Sequence, residues 1–152
     1  MRKNFIKFGL QKKKVFVIGG SGLLGKEIVK LLLENSAIVI NLDLINKNNF
    51  IKKRNLKNYF YQKLNVADLE NLDKNLESII KKFGCPNIFI NTSYPTNSNW
   101  NLNSFKKNKI LNLRKNVDIH QNSYCWSAHM ICQKMKEKKI LGSVILLNSI
   151  YG

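Results

Sequence analysis

The chain has 152 residues, which suits one domain able to bury roughly two-thirds of its extended-chain surface. Its net charge of +17 comes from 26 Lys and Arg against 9 acids, but the basic residues are almost all lysines scattered among Asn and Ile. Arginine, the residue suited to bidentate base or phosphate recognition, stands only at Arg2, Arg54 and Arg114, so specific nucleic-acid binding is not expected. No apolar run approaches the ~18–20 residues that span a bilayer, so neither a membrane segment nor a secretory leader is expected, and the expected location is the cytoplasm.

Residues 1–13 read as a basic extension. Lys14-Val15-Phe16-Val17-Ile18 is a short β-branched run stopped by Gly19-Gly20, the pattern of a buried strand. Residues 22–34 follow with Leu23, Leu24, Ile28, Leu31 and Leu32 at helical spacing, and Asn35-Ser36 occupies the place of a helix-ending glycine, Asn being tolerant of the left-handed conformation. Residues 37–44 (AIVINLDL) predict a second strand, 46–58 a polar loop with a weak helix, and 59–66 a third strand. Asp68 is placed to cap a helix reaching Phe83, with Leu69, Leu72, Leu76, Ile79 and Ile80 as its apolar stripe, before Gly84 and Pro86 stop it. Residues 87–91 predict a fourth strand, 104–138 a long helical stretch with a break near Asp118, and 143–148 a fifth strand.

Strands alternating with helices long enough for crossovers imply an α/β fold of Rossmann type, a doubly wound parallel sheet that stops after about five strands. Residues 14–152 would form that one domain. Of the three cysteines, no two have C-x-x-C spacing, which argues for reduced thiols. Cys125, His129 and Cys132 recur at i, i+4 and i+7, a pattern that a buried helix face uses far more often than a metal does, and no metal site is expected.

The motif that carries chemistry is Gly19-Gly20-Ser21-Gly22-Leu23-Leu24-Gly25, glycines at G-x-x-G-x-x-G directly after a strand and opening a helix. A side chain at the tight turn or at the close-approach position would hold the backbone away from a pyrophosphate, and the third glycine lets helix and strand pack closely. The phosphates would then rest on free N–H groups at the positive helix end. Gly19, Ser21, Gly22, Leu24 and Gly25 are therefore candidate cofactor-binding residues. Asp43, at the end of the second strand and about 20 residues beyond the glycines, is placed to accept hydrogen bonds from both ribose hydroxyls and to repel a 2′-phosphate, which favours NAD over NADP. Lys47, close by in sequence, works against that preference.

With these features the chain resembles the short-chain dehydrogenase/reductase family over nearly its whole length. Asn65-Val66-Ala67-Asp68 stands where the family has Asp-Val, which implies adenine contacts from Asn65 and Val66, weaker because Asn65 lacks the charge. Phe83-Gly84-Cys85-Pro86-Asn87-Ile88-Phe89-Ile90-Asn91-Thr92-Ser93 is similar to the family's FG-x-x-D-x-L-V-N-N-A stretch, with Asn91 at the first Asn and Thr92 and Ser93 replacing the second Asn and the Ala. Residues 144–152 (VILLNSIYG) resemble the family's I-I-N-I-S-S-x-x-G, which puts Ser149 at the catalytic serine. Aligning Tyr124-Cys125-Trp126 with the family's aromatic helix puts His120 at the helical proton-relay position, with Asn116 and Asn122 nearby.

Tyr94-Pro95, residues 116–120 and residues 149–152 together resemble one branch associated with flagellin modification and surface-sugar biosynthesis. The family implies hydride transfer to or from an alcohol or carbonyl and, in full-length members, homo-oligomers. Its chemistry also needs a tyrosine about a dozen residues beyond the serine and a lysine four positions later on the same helix, the lysine lowering the tyrosine pKa. Those positions fall past Gly152, so the expectation is a truncated or split member, inactive alone and meeting a small-molecule substrate only if a C-terminal part is supplied. The alternatives are a non-catalytic dinucleotide-binding module and a fragment of an extended-type nucleotide-sugar epimerase or dehydratase. The glycine spacing suggests the second of these, and residues 83–93 argue against it.

Overall fold

A computed structural model of the chain describes residues 9–95, 106–107 and 109–148. The β-branched and aromatic runs form five strands: β1 (Lys14–Ile18), β2 (Ile38–Asp43), β3 (Tyr59–Lys63), β4 (Ile88–Asn91) and β5 (Ser143–Leu146). All neighbours pair in parallel, in the order β3-β2-β1-β4-β5. Between them run the helices α1 (Leu23–Glu34), α2 (Leu72–Phe83), α3 (Ile110–Val117) and α4 (Ser123–Glu137). The expected Rossmann-type α/β sheet is what the chain forms.

Side-chain alternation along the strands divides the core into two layers. Phe16, Ile18, Ile40, Leu42 and Phe89 face Leu72, Leu76 and Ile79 of α2 and Ile131 and Met135 of α4. Val15, Val17, Val39 and Ile90 face Val29, Leu32 and Leu33 of α1. A strand clad on both faces needs apolar residues at successive positions, and for that reason these strands read as continuous hydrophobic runs. Complete burial of each large aliphatic side chain contributes roughly 1.5–3 kcal/mol, and Val15, Phe16, Val17, Val39, Leu42, Leu72, Leu76, Phe89 and Ile131 are all fully buried.

The chain builds outward from β1 in one direction to β2 and β3, then returns to the other side of β1 for β4 and β5. The reversal opens a crevice beyond the carboxyl ends of β1 and β4, the place where open α/β sheets bind ligands. β3 and β5 are the sheet edges, and on β5 Ile145 and Leu146 remain 46% and 42% exposed.

Three local expectations are corrected. First, α2 begins at Leu72 rather than at Asp68: Asp68 spends both carboxylate oxygens on the Asn71 amide, and residues 66–71 turn without forming helix. Second, α1 does not end on a left-handed Asn. Asn35 stays at φ −93°, its side-chain amide donating to the Leu31 carbonyl at 2.9 Å, and Ser36 takes the positive φ of 63°. Third, the break near Asp118 is a π-helical turn, Asp118–Asn122, joining α3 to α4, so the helical path continues with one local widening. The loop after β2 contains the expected weak helix as a 3₁₀ turn, Lys53–Asn58.

Candidate dinucleotide site at the carboxyl ends of the strands

The loop from β1 to α1 is shaped by what its glycines lack. Gly19 has φ +77°, and a Cβ there would stand 2.8 Å from the Ser93 backbone, so the first turn and the segment after β4 cross in contact. A Cβ on Gly25 would lie 2.1 Å from the Gly19 carbonyl oxygen and 2.7 Å from Gly20 Cα, so the third glycine lets the first turn of α1 rest on the loop. Gly22, the N-cap of α1, has only one close neighbour for an added Cβ, the Gly19 oxygen at 3.1 Å. That position carries no internal packing demand of the kind seen at Gly25, and it faces outward.

The amino-terminal end of α1 has no side-chain cap. The first N–H groups of a helix lack intrahelical partners and carry the positive end of its dipole. Leu23 and Leu24 are 78% and 61% exposed beside that end, unusual for leucine and consistent with a surface meant to be covered. An uncapped helix mouth next to a glycine loop fits a diphosphate.

Asp43 ends β2 beside this mouth. Its Oδ2 accepts the Ser21 N–H at 2.9 Å and its Oδ1 the Ile45 N–H at 3.3 Å. The carboxylate is therefore clasped to the glycine loop, and each oxygen keeps acceptor capacity for a ribose hydroxyl. Among the described residues the ion pairs are Lys30–Glu27, Lys52–Glu34 and Lys134–Glu137; Lys47 does not pair with Asp43. Ser21 turns its hydroxyl to the Ile45 carbonyl at 2.7 Å. Behind it lies Asn41, fully buried on β2, whose Nδ2 donates to Ser21 Oγ and to the Tyr59 hydroxyl, each at 2.9 Å. Burial raises the Tyr59 phenol above its ordinary value of 10.0, the Asn41 hydrogen bond opposing and the Asp43 charge adding to that effect.

The other candidates occupy the same rim. The Leu64 N–H donates to the Asp43 carbonyl at 3.1 Å, which brings Asn65 beside the ribose end. Asn65 is exposed, with Oδ1 accepting the Ala67 N–H at 3.1 Å, whereas the Val66 side chain is buried in the core and leaves only its backbone to the rim. Asn91 is fully buried at the end of β4, where Oδ1 accepts both the N–H and the hydroxyl of Ser93, at 3.0 and 2.7 Å. The strand-end hydrogen bonds that a second Asn would make come from Thr92, whose Oγ1 lies 2.9 Å from the Ile18 carbonyl and 3.1 Å from that of Gly19.

His120 lies in the π turn, its ring 4.5 Å from the Tyr94 ring, centroid to centroid. Burial lowers its pKa, while a hydrogen bond to the Pro95 backbone acts in the opposite sense. Tyr124, one turn along, donates to the Ser93 carbonyl; burial raises its phenol. The helix thus brings His120 and Tyr124 to the segment after β4, on the crevice side. Ser149 lies outside the described residues.

Sequence reasoning missed two members of this site. Gly20 is constrained as well, by side chains rather than by backbone, since its Cβ would stand 2.4 Å from Asn41 Oδ1; the Gly-Gly doublet was the available signal. Asn41 stood unremarked within the second strand, where a polar residue on an inward position was the clue. On α4, the i, i+4, i+7 trio reads differently in three dimensions: Cys125 and Cys132 are exposed, and His129 stacks on Trp126 at 5.1 Å. A groove of about 830 Å³, lined by Leu10, Lys13, Asn87, Cys132, Met135 and Gly142, opens at the amino-terminal ends of the strands, opposite the glycine loop and Asp43.

Comparison with known proteins agrees with this geometry. Residues 13–152 match the family model described as short chain dehydrogenase. The chain is 28% identical over 149 residues to post-translational flagellin modification protein A of Campylobacter coli, covering 94% of this chain and 57% of that protein. Among solved structures, a short chain dehydrogenase from Leptospira borgpetersenii with bound NAD+ superposes with a TM-score of 0.77 at 22% identity, over 93% of this chain and 53% of that one. ElxO with NADP bound gives a TM-score of 0.74 at 19% identity, over 92% of this chain and 56% of that one. The chain thus spans a little over half the length of these relatives. It belongs to the short-chain dehydrogenase family.

Proposed function

We propose that this chain binds NAD across the carboxyl-end crevice, as the cofactor half of an oxidoreductase that moves a hydride between nicotinamide and an alcohol or carbonyl. The observation that carries the reading is Asp43, held at the uncapped mouth of α1 by the Ser21 N–H at 2.9 Å. A diphosphate on the N–H groups from Leu23 to Gly25 leaves the adenosine ribose beside that carboxylate, and a 2′-phosphate there meets a like charge. NAD is preferred to NADP on this ground, although relatives of both kinds share the fold.

Asn65 and the Val66 backbone border the adenine, and Asn91 organises the segment under the nicotinamide end. In this reading Ser149 holds the reacting oxygen and His120 passes protons along the helix. The tyrosine and lysine that complete such chemistry belong to the part of the relatives that this chain does not span, so these 152 residues by themselves bind cofactor without turnover. The likeness to a flagellin modification protein, taken with the resemblance of Tyr94-Pro95, residues 116–120 and residues 149–152 to the surface-sugar branch, supports a sugar derivative as the substrate of the whole enzyme.

Isothermal titration of the purified chain with NAD+ and NADP+ tests the cofactor reading: tighter binding of NAD+ is expected, and the reverse preference would overturn it. The purified chain is expected to show no hydride transfer, and turnover that appears and survives both Ser149→Ala and His120→Ala would show the catalytic assignment to be wrong.

A further inference from the structure

We infer that Asn41 is a positioning residue that sets the preference for NAD, acting through Ser21 to hold Asp43 and the segment after it in a ribose-gripping arrangement. The inference rests on the cofactor reading above and adds to it a residue with no access to the ligand.

Asn41 is fully buried on the α1 face of β2, two residues before Asp43 and therefore on the same side of the strand. Burying a primary amide is costly unless its donors and acceptors are matched. Both Nδ2 hydrogens are matched, one on Tyr59 and one on Ser21. The acceptor is not: Oδ1 has no hydrogen-bond partner and lies 2.4 Å from where a Cβ on Gly20 would stand, so a side chain at position 20 would strike it. Leucine has the same branching without an orphaned oxygen, though it is bulkier. An asparagine at this place is a stability cost, and its return lies in what Nδ2 does for Ser21.

Ser21 makes three bonds, which close a clasp. Its Oγ accepts from Asn41 and donates to the Ile45 carbonyl at 2.7 Å, while its N–H holds Asp43 Oδ2. With one hydrogen already received from Asn41, the hydroxyl is left to donate its own proton to Ile45. That bond draws the strand exit against the glycine loop beside Asp43. The diphosphate cradle of Gly22 to Gly25 is common to both dinucleotides, whereas the Asp43 clasp serves only an unphosphorylated ribose. Releasing the clasp therefore weakens NAD binding selectively, and it frees residues 44–47, including Lys47, to approach a 2′-phosphate.

The test uses the 152-residue chain, titrated with NAD+ and with NADP+. Asn41→Leu should weaken NAD+ about tenfold, the scale of one or two net hydrogen bonds, and change NADP+ by less than about threefold, so that the selectivity ratio collapses while the melting temperature stays within a few degrees. Ser21→Ala, at a half-buried loop position, should reproduce the change and decides the matter if Asn41→Leu fails to fold. The double variant should be no worse than either single one, because both break one chain of bonds. Equal weakening of both dinucleotides, unchanged NAD+ affinity, or additive losses in the double variant would each overturn the role of Asn41 while leaving the cofactor reading intact. Absence of binding to either dinucleotide by the unmodified chain would overturn both.

Discussion

Replacing Gly25 with alanine separates two opposed effects that differ in sign. In an exposed helix the change would stabilise by about 1 kcal/mol, alanine being the better helix former. Here the new methyl would lie 2.1 Å from the Gly19 oxygen, 2.8 Å from its carbonyl carbon and 2.7 Å from Gly20 Cα, all of them backbone atoms that cannot rotate aside. Ordinary contact begins at 3.4 Å, so α1 must withdraw by about 1 Å from the loop. That withdrawal loosens the packing of Val29, Leu32 and Leu33 on β1 and β2. Overpacking of this kind costs about 1–3 kcal/mol and sometimes more; with rigid neighbours the upper end applies, and after the propensity gain a net loss of about 2 kcal/mol remains. At roughly 2–4 °C per kcal/mol for a chain of this size, Gly25→Ala should melt about 4–8 °C below the unmodified protein by far-UV circular dichroism. An unchanged or raised melting temperature would refute the close approach of helix and loop on which the site is built.

Gly22→Ala should melt within a degree or two of the unmodified chain, because its methyl meets only the Gly19 oxygen at 3.1 Å, yet lose about tenfold or more in NAD+ affinity by titration, since that methyl faces the diphosphate. Asp43→Asn should weaken NAD+ and improve NADP+, measured in the same way. Burial lowers the His120 pKa below its ordinary 6.5, so as pH falls the unfolded chain takes up this proton before the folded one. The His120 contribution to stability is therefore intact above about pH 6.5 and is lost as pH falls through the lowered folded value, and His120→Gln should flatten that part of a denaturation-against-pH profile. Iodoacetamide should label Cys125 and Cys132 first, both exposed, and Cys85 last, its thiol half-buried and pushed up by burial; mass mapping that finds Cys85 labelled first would contradict the packing around α4.

Much of the architecture was legible because it rests on short-range patterns. β1 was bounded at Lys14 and Ile18 by an apolar run and a glycine pair, and β4 by the stop at Gly84 and Pro86 and the polar run after Asn91. Helix starts were less legible, since capping depends on which of several competing side-chain bonds forms. Asp68 bound Asn71 instead of a helix N–H, and α2 began four residues later. The same competition decided the end of α1, where the Asn35 amide found Leu31 and the positive φ passed to Ser36.

At the site, spacing alone pointed to Gly19, Gly22, Gly25 and Asp43, because a diphosphate cradle demands missing side chains at set intervals and an acid one strand away. The chain order of strands and helices likewise determined a parallel sheet, since each connection was long enough only for a crossover. What tertiary structure decided was which surfaces meet across long sequence separations: Gly19 against Ser93, Asn41 against Gly20 and Ser21, and His120 against Tyr94. Those meetings depend on strand order and helix packing, which no local pattern encodes, and they turn separate motifs into one rim where a helix mouth, a carboxylate and a buried amide act together.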